Sequence, residues 1–98
     1  MEKSKNNQDQ FPIITVIGRD HPGIVAQIST MLWENRINIE EISQGVIKGN
    51  FFMVMAVDLK DAKIDFAALA QKLKLLGKKI GADISLYNQE IFTAMNRI

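Results

Sequence analysis

Seven consecutive apolar residues, Phe51-Phe52-Met53-Val54-Met55-Ala56-Val57, constrain this chain more than any other stretch. The run is far too short to cross a bilayer, and its length and β-prone residues suit a strand. Alternation places Phe51, Met53, Met55 and Val57 on one face and Phe52, Val54 and Ala56 on the other. An antiparallel strand needs only one apolar face, so both sides of this one call for cover. Helices can cover one side. A partner subunit or a terminal element must cover the other.

The remaining segments supply those helices. Lys48-Gly49-Asn50 is a tight hairpin signal that joins the apolar run to a preceding strand over residues 37–48. Ile13-Ile14-Thr15-Val16-Ile17 is a β-branched run suited to a buried strand. Ile24, Ile28, Met31 or Leu32, and Asn35 then recur at helical spacing. That first helix is expected to start at Asp20 or His21, with Pro22 and Gly23 in its first turn. Asp65 can cap a second helix carrying Phe66, Leu69, Leu73, Leu76 and Ile80, with Gly81 as its stop. Asp83-Ile84-Ser85-Leu86-Tyr87 alternates as a last strand. Ile91, Phe92, Met95 and Ile98 form a short stripe after Asn88, expected as a helix packing on the domain or its partner. The order βαββαβ plus a terminal helix predicts an α+β, ferredoxin-like sandwich: a four-stranded antiparallel sheet with two helices on one face.

Composition narrows the function more by exclusion than by assignment. The 98 residues suit one domain over residues 11–98, preceded by a polar tail, residues 1–10, expected to be disordered. With no cysteine there is no disulfide framework, thiol nucleophile or thiolate metal site. A net charge of +1 gives no field that would gather nucleic acid or an anionic membrane. The first ten residues contain no apolar signal-peptide core, so a cytoplasmic location is expected. Lys72, Lys74, Lys78 and Lys79 make the second helix basic, which reads as a solvated face. Trp33 is expected at the edge of the core or under the terminal helix.

The residues also weigh against an enzyme. There is a single histidine, His21, more readily a solvated or capping residue than a metal ligand. Glu40 and Glu41 are strand neighbours and should point to opposite faces, which excludes a shared acid–base role. Neither a catalytic residue nor a cofactor is expected. Gly18-Arg19-Asp20-His21-Pro22-Gly23 has the glycine spacing of a phosphate loop, but Ile24-Val25 replaces the Lys-Ser/Thr such a loop needs. What remains is a strand-to-helix turn whose backbone amides can approach a small polar ligand.

That turn, followed by Asn38-Ile39-Glu40-Glu41-Ile42-Ser43 and by Phe52-Met53 in the third strand, resembles an ACT domain over residues 12–98. The ending Ile91-Phe92-Thr93-Ala94-Met95-Asn96-Arg97-Ile98 is similar to small stand-alone single-ACT proteins of uncharacterised function. Those in turn resemble the two-domain regulators of the glycine cleavage system. The resemblance implies a homodimer that binds a small effector, usually an amino acid, between subunits and signals to a regulated protein. Carried over by position, the ligand-binding residues are Gly18, Arg19, Asp20, His21, Pro22, Gly23 and Ile24, facing Asn38 and Ile39 of the partner subunit. Serine-binding members have a histidine where this chain has Gly18 and an amide where it has Asp20, so the effector's identity stays open. Physically, helix-start amides suit a carboxylate, while Asp20 and the Asn38 oxygen can accept from an ammonium and Arg19 can pair with a second acid group. The alternative is a ligand-free dimerisation or protein-interaction module.

Overall fold

The computed structural model describes residues 11–96. Seven elements follow in order: β1 (Ile13–Arg19), α1 (Ile24–Glu34), β2 (Asn38–Ile47), β3 (Asn50–Asp58), α2 (Phe66–Ile80), β4 (Ala82–Tyr87) and α3 (Gln89–Met95). The strands form one antiparallel sheet in the order β2-β3-β1-β4, the ferredoxin-like arrangement the segment order predicts. The anticipated tail lies outside the described residues, as does Ile98.

The register sorts the apolar residues between the two faces. Ile14 pairs with Met55 and Val16 with Met53, and these side chains meet Ile28 and Leu32 of α1 and Leu69 and Leu73 of α2 in one buried core. Each of these residues is essentially inaccessible, and burying such a side chain contributes about 1.5–3 kcal/mol. The opposite face pairs Ile13 with Ala56, Thr15 with Val54 and Ile17 with Phe52. There α3 supplies part of the cover. Phe92 borders a hollow of about 550 Å³ together with Ile13, Val54 and Ala56, and its ring centroid is 6.2 Å from that of Tyr87. The cover is incomplete, since Ile17 is 60% exposed and Ile91 and Met95 of α3 are themselves exposed.

Local chemistry explains most boundaries. Asp65 caps α2 by accepting the Ala68 N–H at 2.9 Å, and Asn88 caps α3 by accepting the Ile91 N–H at 2.8 Å. Gly81 ends α2 in the left-handed region at φ 75°, open to glycine at little steric cost. Lys48 and Gly49 have φ of 49° and 79°, the paired positive values of a two-residue hairpin turn. The start of α1 corrects the sequence reading. Its N-cap is Gly23, with φ 85° and no side-chain cap bond, so the helix starts at Ile24 and neither Asp20, His21 nor Pro22 belongs to it.

Three further departures have physical causes. Between Ile39 and Glu41 the β2–β3 register slips by one residue, so Ile39 sits opposite Val57 and Glu41 opposite Ala56. This bulge puts Ile39 and Ile42 on the helix-facing side although they are three residues apart, and it voids the alternation argument for Glu40 and Glu41. Gly77 is buried where α2 meets β4; a Cβ there would lie 2.6 Å from the Ala82 carbonyl oxygen. Trp33 is neither in the core nor under α3. It is 77% exposed, at the end of the sheet farthest from the β1–α1 turn.

Candidate functional site

The β1–α1 turn is fixed from two directions. The Asp20 N–H donates to the Gly49 carbonyl at 3.0 Å, which ties the turn to the β2–β3 hairpin. His21 Nε2 lies 3.1 Å from the Ile80 carbonyl, and Nδ1 lies 3.2 Å from the Pro22 carbonyl. The Ile80 oxygen belongs to the last turn of α2, where carbonyls have no helical partner, so His21 caps that helix from another element. Gly18 is tightly placed as well. A Cβ there would meet Ala82 Cα at 3.1 Å, which holds β1 close to the start of β4.

This packing leaves specific groups for a ligand. The Gly23 carbonyl accepts the Gln27 N–H at 2.9 Å, while Gly23 has no side chain to occupy the amides of the first turn of α1. Those amides, at the positive end of the helix, suit a carboxylate. Arg19, Asp20, Pro22 and Gly23 are exposed around them, whereas Ile24 is buried and serves the core.

Asn38 and Ile39 are at the other end of the molecule. Asn38 pairs with Asp58 at the foot of the sheet, whereas Arg19 pairs with Asn50 at the head. The nine-residue offset along β2 corresponds to about 30 Å at strand rise. Within one chain the two halves of the expected site do not meet. Asn38 Nδ2 donates to Glu40 Oε2 at 3.1 Å, a bond between exposed side chains. Asn38 also lines a hollow of about 340 Å³ with Trp33, Arg36, Asp58, Lys60 and Asp61. Sequence reasoning missed this hollow. The helical spacing of α1 left Trp33 off the buried stripe and was the available signal.

Among the described residues no group of three or more His, Cys, Asp or Glu side chains is placed to hold a metal ion. Nor is any described helix long and apolar enough to cross a membrane.

The βαββαβ order, the glycine-bearing first turn and a second strand at the edge of the sheet are the architecture of a small regulatory ligand-binding domain, the ACT domain. A family model described as an ACT domain matches residues 10–87, and the chain belongs to the ACT domain family. It is 43% identical over 86 residues to a UPF0237 protein of Methanopyrus kandleri, covering 88% of this chain and 96% of that one. Among solved structures it superposes on an ACT domain protein from Streptococcus pneumoniae with a TM-score of 0.73 and 36% identity, over 85% of this chain and 93% of that one. The ligand-free regulatory subunit of aspartate kinase from Thermus thermophilus gives a TM-score of 0.62 at 32% identity, over 81% of this chain and 52% of that one.

Proposed function

We propose that this chain is a non-catalytic regulatory module that pairs with a second copy through β2 and holds an amino acid between subunits. The observation that carries this reading is the placement of the two half-sites at opposite ends of the sheet, Asn38 and Ile39 on its edge strand β2 and the turn beside the far end of β2. Antiparallel pairing of β2 with its copy brings the foot of one sheet to the head of the other. The turn comprising Gly18, Arg19, Asp20, His21, Pro22 and Gly23 then faces the partner subunit's Asn38 and Ile39. In that arrangement the helix-start amides receive the effector's carboxylate, and Asp20 and the Asn38 oxygen accept from its ammonium.

The surface of β2 supports the pairing. All of its residues are exposed except half-buried Gly45, and Ile39, Ile42, Val46 and Ile47 are large hydrophobics exposed by 36–62%. An apolar strand edge of this length invites a partner strand. A non-catalytic role agrees with the placement of His21 Nε2 against the Ile80 carbonyl, which occupies this side chain in holding the end of α2. Likeness to an aspartate kinase regulatory subunit supports an effector-responsive output onto another protein.

The test combines sedimentation with a thermal-shift screen of the amino acids. A dimer at micromolar concentration is expected, and an effector at a hundred times its Kd should stabilise it by about 2.7 kcal/mol. Asn38→Ala and Gly23→Val should abolish the shift, although Gly23→Val also strains a residue at φ 85°. A clean monomer sinks the pairing. A dimer that no amino acid stabilises moves the function to the ligand-free interaction module.

A further inference from the structure

We propose that the free edge of β4, overhung by Lys74 and Lys78 of α2, docks an extended acidic segment of the regulated protein as an added strand. The proposal rests on the regulatory reading above for the kind of protein that supplies the segment; the surface itself is independent of the effector site.

β4 ends the sheet on the side away from β2 and, among the described residues, pairs only with β1. Alternate residues of such a strand direct their N–H and C=O groups outward. Among the described residues no backbone hydrogen bond outside the regular elements reaches Ala82–Tyr87. Along this edge runs a groove of about 490 Å³, bordered by Ala70, Lys74 and Lys78 of α2 and by Ile84, Ser85 and Leu86 of β4. Gly77 makes the groove possible. Its missing Cβ lets α2 settle onto the Ala82 carbonyl, so the lysines on either side of it in sequence border the strand edge.

The spacing selects the occupant. Lys74 and Lys78 are one helical turn apart, about 6 Å along the axis. Same-face side chains of an added strand repeat every two residues, about 6.7 Å. A segment with acidic residues at alternate positions therefore sets one carboxylate against each ammonium while its backbone completes the ladder, as in strand-addition recognition. Asp83, which also lines the groove, pairs with Ile17 and so belongs to the face away from α2. A second copy of this chain fits poorly, because two β4 edges would bring two sets of lysines together. The groove also offers no row of stacking aromatics for a nucleic-acid strand.

The experiment titrates the intact, isotopically labelled protein with a capped Thr-Glu-Val-Glu-Val-Thr hexapeptide, followed by amide NMR and hydrogen exchange. The expected result is saturable shifts confined to β4 and its surroundings, with slowed exchange at the β4 amides not bonded to β1. The double variant Lys74→Glu/Lys78→Glu, in which both side chains are exposed and whose fold is checked by its amide spectrum, should weaken binding about tenfold or more. It should then prefer the hexapeptide with lysine in place of glutamate. The docking surface is overturned by no saturation at millimolar peptide, by equal binding of acidic and basic peptides, or by shifts centred on β2. A single-stranded oligonucleotide binding in place of the peptide overturns it too. A failed amino-acid screen with intact peptide binding removes the effector and leaves the surface standing; the reverse result removes the surface alone.

Discussion

Among the described residues, the outer edges of the sheet at β2 and β4 are equally unpaired and differ in what surrounds them. β2 has ten residues and exposes four large hydrophobics, and its helix-facing side chains Ile42 and Val46 remain 45% and 52% accessible. β4 has six residues, lies under α2 and presents a shorter, half-covered edge flanked by lysines. A long apolar edge is best satisfied by its own copy, whereas a short charged one repels its copy and selects an oppositely charged strand. On the proposed reading, one sheet assembles on one side and reports on the other.

The sharpest way to break this contrast is to lift α2 off β4. Gly77→Val places a side chain against the Ala82 carbonyl and Ile84, with the first atom 2.6 Å from an oxygen that cannot yield without moving the strand. We expect a loss of roughly 3 kcal/mol in urea unfolding, at the upper end of overpacking costs. The surviving folded protein should still self-associate through β2. Wild-type stability in this variant would show that α2 does not press on β4.

The next prediction tests β2 itself. Ile42→Lys alters a side chain already 45% exposed, so unfolding stability should change by less than about 1 kcal/mol. The dimer should weaken at least tenfold, about 1.4 kcal/mol, as like charges approach across the two-fold. Ser85→Lys on β4 is the matched control and should leave sedimentation unchanged. If Ser85→Lys dissociates the dimer and Ile42→Lys does not, the assignments of the two edges are reversed.

How much of this contrast the sequence discloses depends on whether a signal is local. Asp65, Gly81, Asn88 and the Lys48-Gly49 turn act on backbone within a few residues, and each appears where local chemistry puts it. The two-faced run in β3 was legible for the same reason, because strand alternation needs no knowledge of neighbours. The bulge at Glu40 was not, since an extra residue in a ladder shows only against the partner strand. Gly77 reads as a poor helix residue until Ala82 is seen beside it. The candidate site was legible only in halves. Its residue types stand in the sequence, but the distance between turn and Asn38 comes from the register of β2, and their meeting requires a second chain.

The smallest effect concerns the turn that lies between the two edges. Adjacent residues tie it to opposite sides: Asp20 to the Gly49 carbonyl on the β2 side, and His21 to the Ile80 carbonyl on the β4 side. A ligand that draws on this turn therefore pulls on both. His21→Ala removes the bond to α2 and leaves a helix-terminal carbonyl without that donor, a loss of about 1 kcal/mol in urea unfolding. Asp65→Ala at the opposite end of the same helix should cost about the same, since it removes a cap of similar strength. The two variants differ in the effector's stabilisation of the protein, which should shrink in His21→Ala and persist in Asp65→Ala. The dimer should survive both, because neither residue lies on β2. Loss of the dimer in His21→Ala on the scale expected for Ile42→Lys would mean that the turn, and not the apolar edge, holds the two copies together.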